Sequence, residues 1–103
     1  MAGFTQIIEF RTSKLDEVRA LADDFRKTRE AEGDGPAPVR VVTCADRDNP
    51  GRYFNLVEFA SYEEAMENND REDTGEFAAK LMELCDGPPT FYNLDVIETA
   101  EYA

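Results

Sequence analysis

The chain has 103 residues, of which 42% are hydrophobic and 33% charged, and its formal net charge is −12. That length suits one domain spanning 1–103, and an aromatic content of 11% sets the chain apart from disordered sequences, which lack such residues. The charge is uneven, −2 over residues 1–59 and −10 over residues 60–103, and a field of that sign repels phosphate backbones and anionic bilayers, so neither nucleic acid nor a membrane is an expected partner.

Phe4 to Phe10 alternates as a strand, with Phe4, Gln6, Ile8 and Phe10 on one face and Thr5, Ile7 and Glu9 on the other. Ser13, three residues before Asp16, resembles a capping box. After it, Leu15, Val18, Leu21, Ala22 and Phe25 recur at helical spacing, and a helix is expected from Lys14 to about Glu30. Glu32-Gly33-Asp34-Gly35-Pro36 ends it as a loop.

Val39–Ala45 is rich in β-branched residues and reads as a strand, as does Tyr53–Phe59. The dense turn chemistry of Asp46-Arg47-Asp48-Asn49-Pro50-Gly51 joins them into a hairpin. Ser61 and Glu64 form a capping box for a short helix ending near Asn69. Asp73 with Glu76 resembles a second cap, and Phe77, Leu81, Leu84 and Cys85 mark a helix over about 74–85. Gly87 and Pro88-Pro89 stop it, and a last strand is expected over Thr90–Thr99.

The order βαββααβ predicts an α+β, ferredoxin-like domain: a four-stranded antiparallel sheet with helices on one face. In the last strand one register carries Phe91, Asn93, Asp95 and Ile97, and the other Tyr92, Leu94, Val96 and Glu98. Neither is wholly polar, and the same holds for Tyr53, Asn55, Val57 and Phe59 against Phe54, Leu56 and Glu58. A sheet apolar on both faces needs cover for its helix-free side, and the simplest cover is a second copy, which makes the expected partner the chain itself.

The run Tyr53-Phe54-Asn55-Leu56-Val57-Glu58-Phe59-Ala60-Ser61-Tyr62-Glu63-Glu64-Ala65-Met66, a strand ending in an acid and an aromatic followed by a short capped helix, resembles the dimeric α/β-barrel superfamily. Within it the chain is similar to the antibiotic-biosynthesis-monooxygenase-like and stress-responsive small domains of bacteria. The resemblance implies a homodimer with paired sheets. It also implies a small aromatic or polyketide-like ligand between sheet and helices, and for some members oxidation without a cofactor. Many such members have a histidine at the end of the short helix, where this chain has Asn69, and the chain contains no histidine or tryptophan. Haem degradation, which needs an axial histidine, is therefore not implied.

Other chemistries find little support. Cys44 and Cys85 lie far apart without histidine, which excludes a zinc set and a thiol dyad. The Asp46 loop fails as a calcium loop, because Pro50 and Val57 stand where ligands are required. There is no glycine-rich phosphate loop and no Ser–His–Asp set. No metal and no cofactor is expected. Cys44 reads as a buried small hydrophobe, and Cys85, beside Asp86, as a thiol of raised pKa. The N-terminus lacks a signal-peptide pattern and no apolar run would span a bilayer, so the expected setting is cytoplasmic with reduced thiols.

The strand polars Gln6, Asn55, Glu58, Asn93 and Asp95 remain. As a site they predict a pocket between sheet and helices where an amide orients a ligand oxygen and a tyrosine closes a wall. Asn55 and Glu58 are the catalytic candidates, Glu58 as a half-buried base. Tyr53, Asn55, Met66, Asn69, Phe77 and Tyr92 are the ligand-binding candidates, with apolar walls from Ile8, Phe25, Leu56, Met66, Phe77 and Leu81. The alternative is a stress-associated or protein-interaction dimer with a filled core.

Overall fold

The computed structural model describes residues 3–33 and 37–102. Its elements are β1 (Phe4–Arg11), α1 (Leu15–Glu32), β2 (Arg40–Ala45), β3 (Arg52–Phe59), α2 (Tyr62–Asn69), α3 (Glu72–Leu84) and β4 (Thr90–Asp95). The strands form one antiparallel sheet in the order β2-β3-β1-β4. The expected α+β, ferredoxin-like architecture is present. The loop expected at residues 34–36 lies outside the described residues.

The two faces of the sheet follow from strand alternation. Phe4 and Phe10 are buried beneath the helices, Phe4 packing with Ala65 and Phe10 with Val18 and Leu81. Residues directly opposite in an antiparallel pair share a face. The helix-facing side therefore carries Gln6 and Ile8 of β1, Tyr53, Asn55, Val57 and Phe59 of β3, Val41 and Thr43 of β2, and Phe91, Asn93 and Asp95 of β4. The helix-free side carries Ile7, Glu9, Val42, Cys44, Phe54, Leu56, Glu58, Tyr92 and Leu94.

The core is split. One cluster gathers Phe4, Phe59 and Ala65 with Val57 and Met66. The other gathers Phe10, Val18 and Leu81 with Ile8, Leu21, Tyr53, Phe77, Leu84 and Cys85. The first seats α2 on one end of the sheet, and the second seats α1 and α3 on the other. Thr12, itself buried, links three segments at that second end. Its hydroxyl donates to the Leu84 carbonyl at 2.6 Å and accepts from the Lys14 amide at 2.9 Å, and its own amide donates to the Gly51 carbonyl at 3.1 Å. Gly51 has φ +91°, a left-handed conformation that the hairpin turn needs and that other residues adopt only with strain.

Several local expectations are corrected. Ser13 does not cap α1: Lys14 occupies the cap position without a side-chain bond, because Thr12 supplies the nearby acceptor instead. Asp73 does not cap α3 but lies inside its first turn, drawn to two arginines. Ser61 does cap α2, its hydroxyl accepting from the Glu64 amide at 3.2 Å. β4 ends at Asp95 rather than Thr99; only the Val96 amide continues the pairing, to the Gly3 carbonyl, and Ile97 is 97% exposed. Cys44 is exposed on the helix-free face rather than buried, because no helix among the described residues covers that side.

Candidate functional site

The strand polars fall into two groups on opposite sides of the sheet. On the helix-facing side Thr43, Asn55, Gln6 and Asn93 come one from each strand, in the order in which the strands lie. Thr43 is opposite Asn55, and Gln6 is opposite Asn93. Asn55 faces Ile8 and Gln6 faces Val57, so Asn55 and Gln6 are diagonal neighbours. The four form a polar stripe across the sheet, between the apolar cluster of Phe4 and that of Phe10.

The stripe bonds in pairs. Thr43 Oγ1 donates to Asn55 Oδ1 at 2.9 Å, and Gln6 Nε2 donates to Asn93 Oδ1 at 3.1 Å. Its ends at β2 and β4 are open, since Thr43 and Asn93 are exposed while Asn55 and Gln6 are partly buried. Of the strand residues on this side, Asp95 alone carries a carboxylate. Apolar and aromatic neighbours come from Ile8, Val57, Tyr53 and Phe91. Above the sheet Phe25 of α1 stacks on Phe77 of α3, their ring centres 4.6 Å apart.

The sequence-based candidates divide accordingly. Tyr53, Asn55, Met66 and Phe77 lie on the helix side of the sheet, as expected. Asn69 is exposed at the end of α2. Glu58, Leu56 and Tyr92 belong to the other face and share no site with Asn55, because strand alternation separates them. The Glu58 carboxylate is taken up by Arg40 at 2.7 Å. The Tyr92 hydroxyl donates to Glu9 Oε1 at 3.0 Å, and Arg52 bridges Glu9 and Asp46, each at 2.9 Å. Hydrogen bonding from Arg52, then from Tyr92, holds the Glu9 carboxyl below its usual range, while the bond to Glu9 raises the Tyr92 phenol. Asp46 is held low first by the Asp48 amide and then by the Asn49 side chain. This network therefore stays charged and tightly paired at neutral pH.

A third group escaped the sequence reading. Arg29 at the end of α1, only 9% exposed in its side chain, donates to Asp73 at 2.8 Å, to Asn68 at 2.8 Å and to Thr74 at 2.6 Å. Its guanidinium also sits 4.7 Å from the centre of the Phe25 ring. Arg71 adds a second bond to Asp73 at 3.0 Å and reaches Glu32 at 3.2 Å. The signal was present: Arg29 follows Phe25 by four residues and so continues the apolar stripe of α1. A charge in phase with a buried face implies a buried partner.

Two open surface depressions have volumes of about 380 and 440 Å³. One is lined by Arg71, Glu72, Asp73 and Glu76, and the other by Ser13, Lys14, Leu15, Asp16 and Glu17. Neither adjoins the stripe. Among the described residues no group of three or more Cys, Asp or Glu is arranged to hold a metal ion, and no helix is long and apolar enough to cross a membrane. The Cys85 thiol is raised first by burial and then by Asp86.

No family model and no curated protein matches the chain. Solved structures do. A Caulobacter crescentus protein assigned to the antibiotic biosynthesis monooxygenases aligns with TM-score 0.77 at 16% identity, over 94% of this chain and 92% of that one. Rv0793 from Mycobacterium tuberculosis aligns with TM-score 0.73 at 20% identity, over 96% and 99%. SnoaB, a cofactor-independent oxygenase from Streptomyces nogalater, aligns with TM-score 0.72 at 14% identity, over 98% and 97%. The chain has the ferredoxin-like fold of the antibiotic-biosynthesis-monooxygenase-like proteins.

Proposed function

We propose that the chain is a homodimeric small-molecule-binding domain that takes a flat, oxygen-bearing aromatic compound against the helix-facing side of its sheet, in the manner of cofactor-independent oxygenases. The observation that carries this reading is the polar stripe. Four uncharged hydrogen-bonding side chains cross a surface whose neighbouring strand residues are mostly apolar or aromatic, between the two clusters of the core. A ligand surface of that kind is mostly apolar with a few placed polar groups. The fold shared with a cofactor-independent oxygenase supports the same reading. Any chemistry would centre on Asn55, whose amide can hold a ligand oxygen and stabilise charge that develops there. Glu58 faces away and is not assigned the role of base.

Dimerisation is supported by the other face. Val42, Leu56, Ile7 and Tyr92 lie in one row across all four strands, with Phe54, Cys44 and Leu94 beside them. Tyr92 is 43% and Leu94 45% exposed, so the row is open in a single chain. The charges around it are matched as Arg40 with Glu58 and Arg52 with Glu9 and Asp46. A nearly neutral apolar face on a chain of net charge −12 lets two like-charged copies approach without direct repulsion there.

A second reading, an interaction dimer with a filled core, is favoured by the packing of Ile8, Tyr53 and Phe77 against the buried cluster of Phe10, Val18 and Leu81. A thermal-shift screen separates the two readings. Aromatic ketones, quinones and polyketides would be tested on wild-type protein and on Asn55→Ala. A ligand at ~100 times its dissociation constant adds about 2.7 kcal/mol, a shift of several degrees for a domain of this size. The proposal expects a shift from one chemical class that Asn55→Ala removes. A folded dimer that responds to none of them supports the filled core.

A further inference from the structure

We infer that Arg29 is a positioning residue: by clamping the end of α1 to the junction of α2 and α3, it fixes the stacked pair of Phe25 and Phe77 as an aromatic roof over the polar stripe, so that the site selects flat aromatic ligands over saturated ones of the same skeleton. The inference rests on the ligand-binding reading above and names what that site selects. The helices are seated on opposite sides of the stripe. α2 sits through Ala65 and Met66 on the cluster of Phe4 and Phe59, and α1 and α3 sit through Val18 and Leu81 on the cluster of Phe10. Arg29 joins the two parts of this layer. From α1 it donates to Asn68 of α2 at 2.8 Å, and to Asp73 and Thr74 of α3 at 2.8 and 2.6 Å.

The level of the roof follows from the rise of the elements. α1 turns back over the sheet after Lys14, with Val18 packed beside Phe10. Phe25 lies seven residues further on, about 10 Å at the helical rise. The step from Phe10 to Gln6 along β1 is of similar length, about 13 Å at the strand rise. Phe25 is thus carried to the level of the stripe. There it has two partners: Phe77 stacks on it, with ring centres 4.6 Å apart and 25° between the planes, and the Arg29 guanidinium lies over it at 4.7 Å. Phe77 reaches inward, into the cluster that also holds Ile8 and Tyr53, the neighbours of Asn55 on the sheet. Both rings are only partly buried, and among the described residues no third ring stacks on them. Two rings on separate helices, held in one geometry by a bonded guanidinium, present a preorganised π surface, which rewards a flat aromatic partner and gives no such gain to a puckered one.

The test uses two probes of one skeleton: xanthone, a flat tricyclic ketone, and perhydroxanthone, its ring-hydrogenated counterpart, which keeps the carbonyl and the ether oxygen but has no aromatic ring. Dissociation constants are measured by calorimetry at a temperature where circular dichroism shows every variant fully folded. Wild-type protein should prefer xanthone. Arg29→Met, which keeps an unbranched apolar side chain and removes the guanidinium, should shrink that preference about threefold to tenfold. Arg29→Lys, which keeps the charge, should restore part of it. Phe25→Leu should shrink it as far as Arg29→Met does, and in the Phe25→Leu background Arg29→Met should have no further effect. Val18→Ala, a truncation at the far end of α1, should lower stability and leave the preference intact. If Arg29→Met weakens both probes alike, or changes the preference no more than Val18→Ala does, Arg29 is a structural brace only and the inference is wrong, while loss of xanthone binding in Asn55→Ala would leave the ligand site standing. If wild-type protein binds neither probe, the site and the inference fall together.

Discussion

Arg29 shows how much a single side chain can organise. It makes hydrogen bonds to α2 and to α3 from the end of α1, and its guanidinium lies over Phe25, which in turn stacks on Phe77. Arg29→Ala removes these bonds at once and leaves Asn68, a buried amide, without that donor. The expected cost is about 2–3 kcal/mol, measured by urea unfolding. Asp73 adds a pH signature. Arg29, then Arg71, holds its carboxyl well below the usual range, so the folded protein keeps that charge to lower pH than the unfolded chain does. The resulting stabilisation is fully present above the unfolded value of about 3.9 and is lost as the pH falls through the folded one. The stability gap between wild-type protein and Asp73→Asn should therefore narrow between neutral pH and about pH 3, and a constant gap would contradict this assignment. At this scale the sequence was only partly legible. The role of Arg29 could have been read from its phase in the helix. The pairing of Thr43 with Asn55 could not, because it depends on a hairpin register that the turn residues alone do not specify.

At the scale of elements, the legible features were those with local causes. Strand alternation in Phe4–Phe10 and Tyr53–Phe59, the helical stripe of Leu15 to Phe25, and the Ser61 cap all depend on neighbours within a turn or two, and the structure contains each of them. The caps expected at Ser13 and Asp73 failed because distant groups outcompeted the helix ends: Thr12 at one, Arg29 and Arg71 at the other. The end of β4 was misjudged for a similar reason. Val96 and Ile97 look like strand residues, but after Val96 the described residues offer no further backbone pairing. The difference between the true cap and the false ones is measurable. Ser61→Ala should cost about 1 kcal/mol in a chemical melt, whereas Ser13→Ala should cost almost nothing. Equal losses would mean that α2 is held by Ala65 and Phe59 rather than by its cap.

At the scale of the whole molecule, the sheet has two unlike faces, and each points to a partner of a different kind. The helix-free face is apolar with its charges matched in place, which suits a second copy. Light scattering at ~0.1 mM should report a dimer, and Leu56→Asp, at the centre of the open row, should yield a monomer, because a bare apolar face of this extent is otherwise unstable in water. A wild-type monomer at that concentration would count against paired sheets. The helix-facing side carries the uncharged stripe, which suits a small ligand. The overall βαββααβ plan was legible because element order and the two-sided apolar pattern are properties of the sequence itself. The placement of Glu58, Leu56 and Tyr92 on the face opposite Asn55 follows from the same alternation, which outweighs their nearness to Asn55 in sequence or in the sheet.

The claim that joins these scales is that ligands bind on the stripe between the two halves of the core. It is tested most directly by titrating isotope-labelled protein with xanthone and following every amide by NMR. The side-chain amides of Asn55, Gln6 and Asn93 should move together and saturate together, with the backbone of Thr43. Shifts confined to Tyr92, Leu94 and Phe54 on the helix-free face, or none at a concentration that saturates a thermal shift, would contradict it.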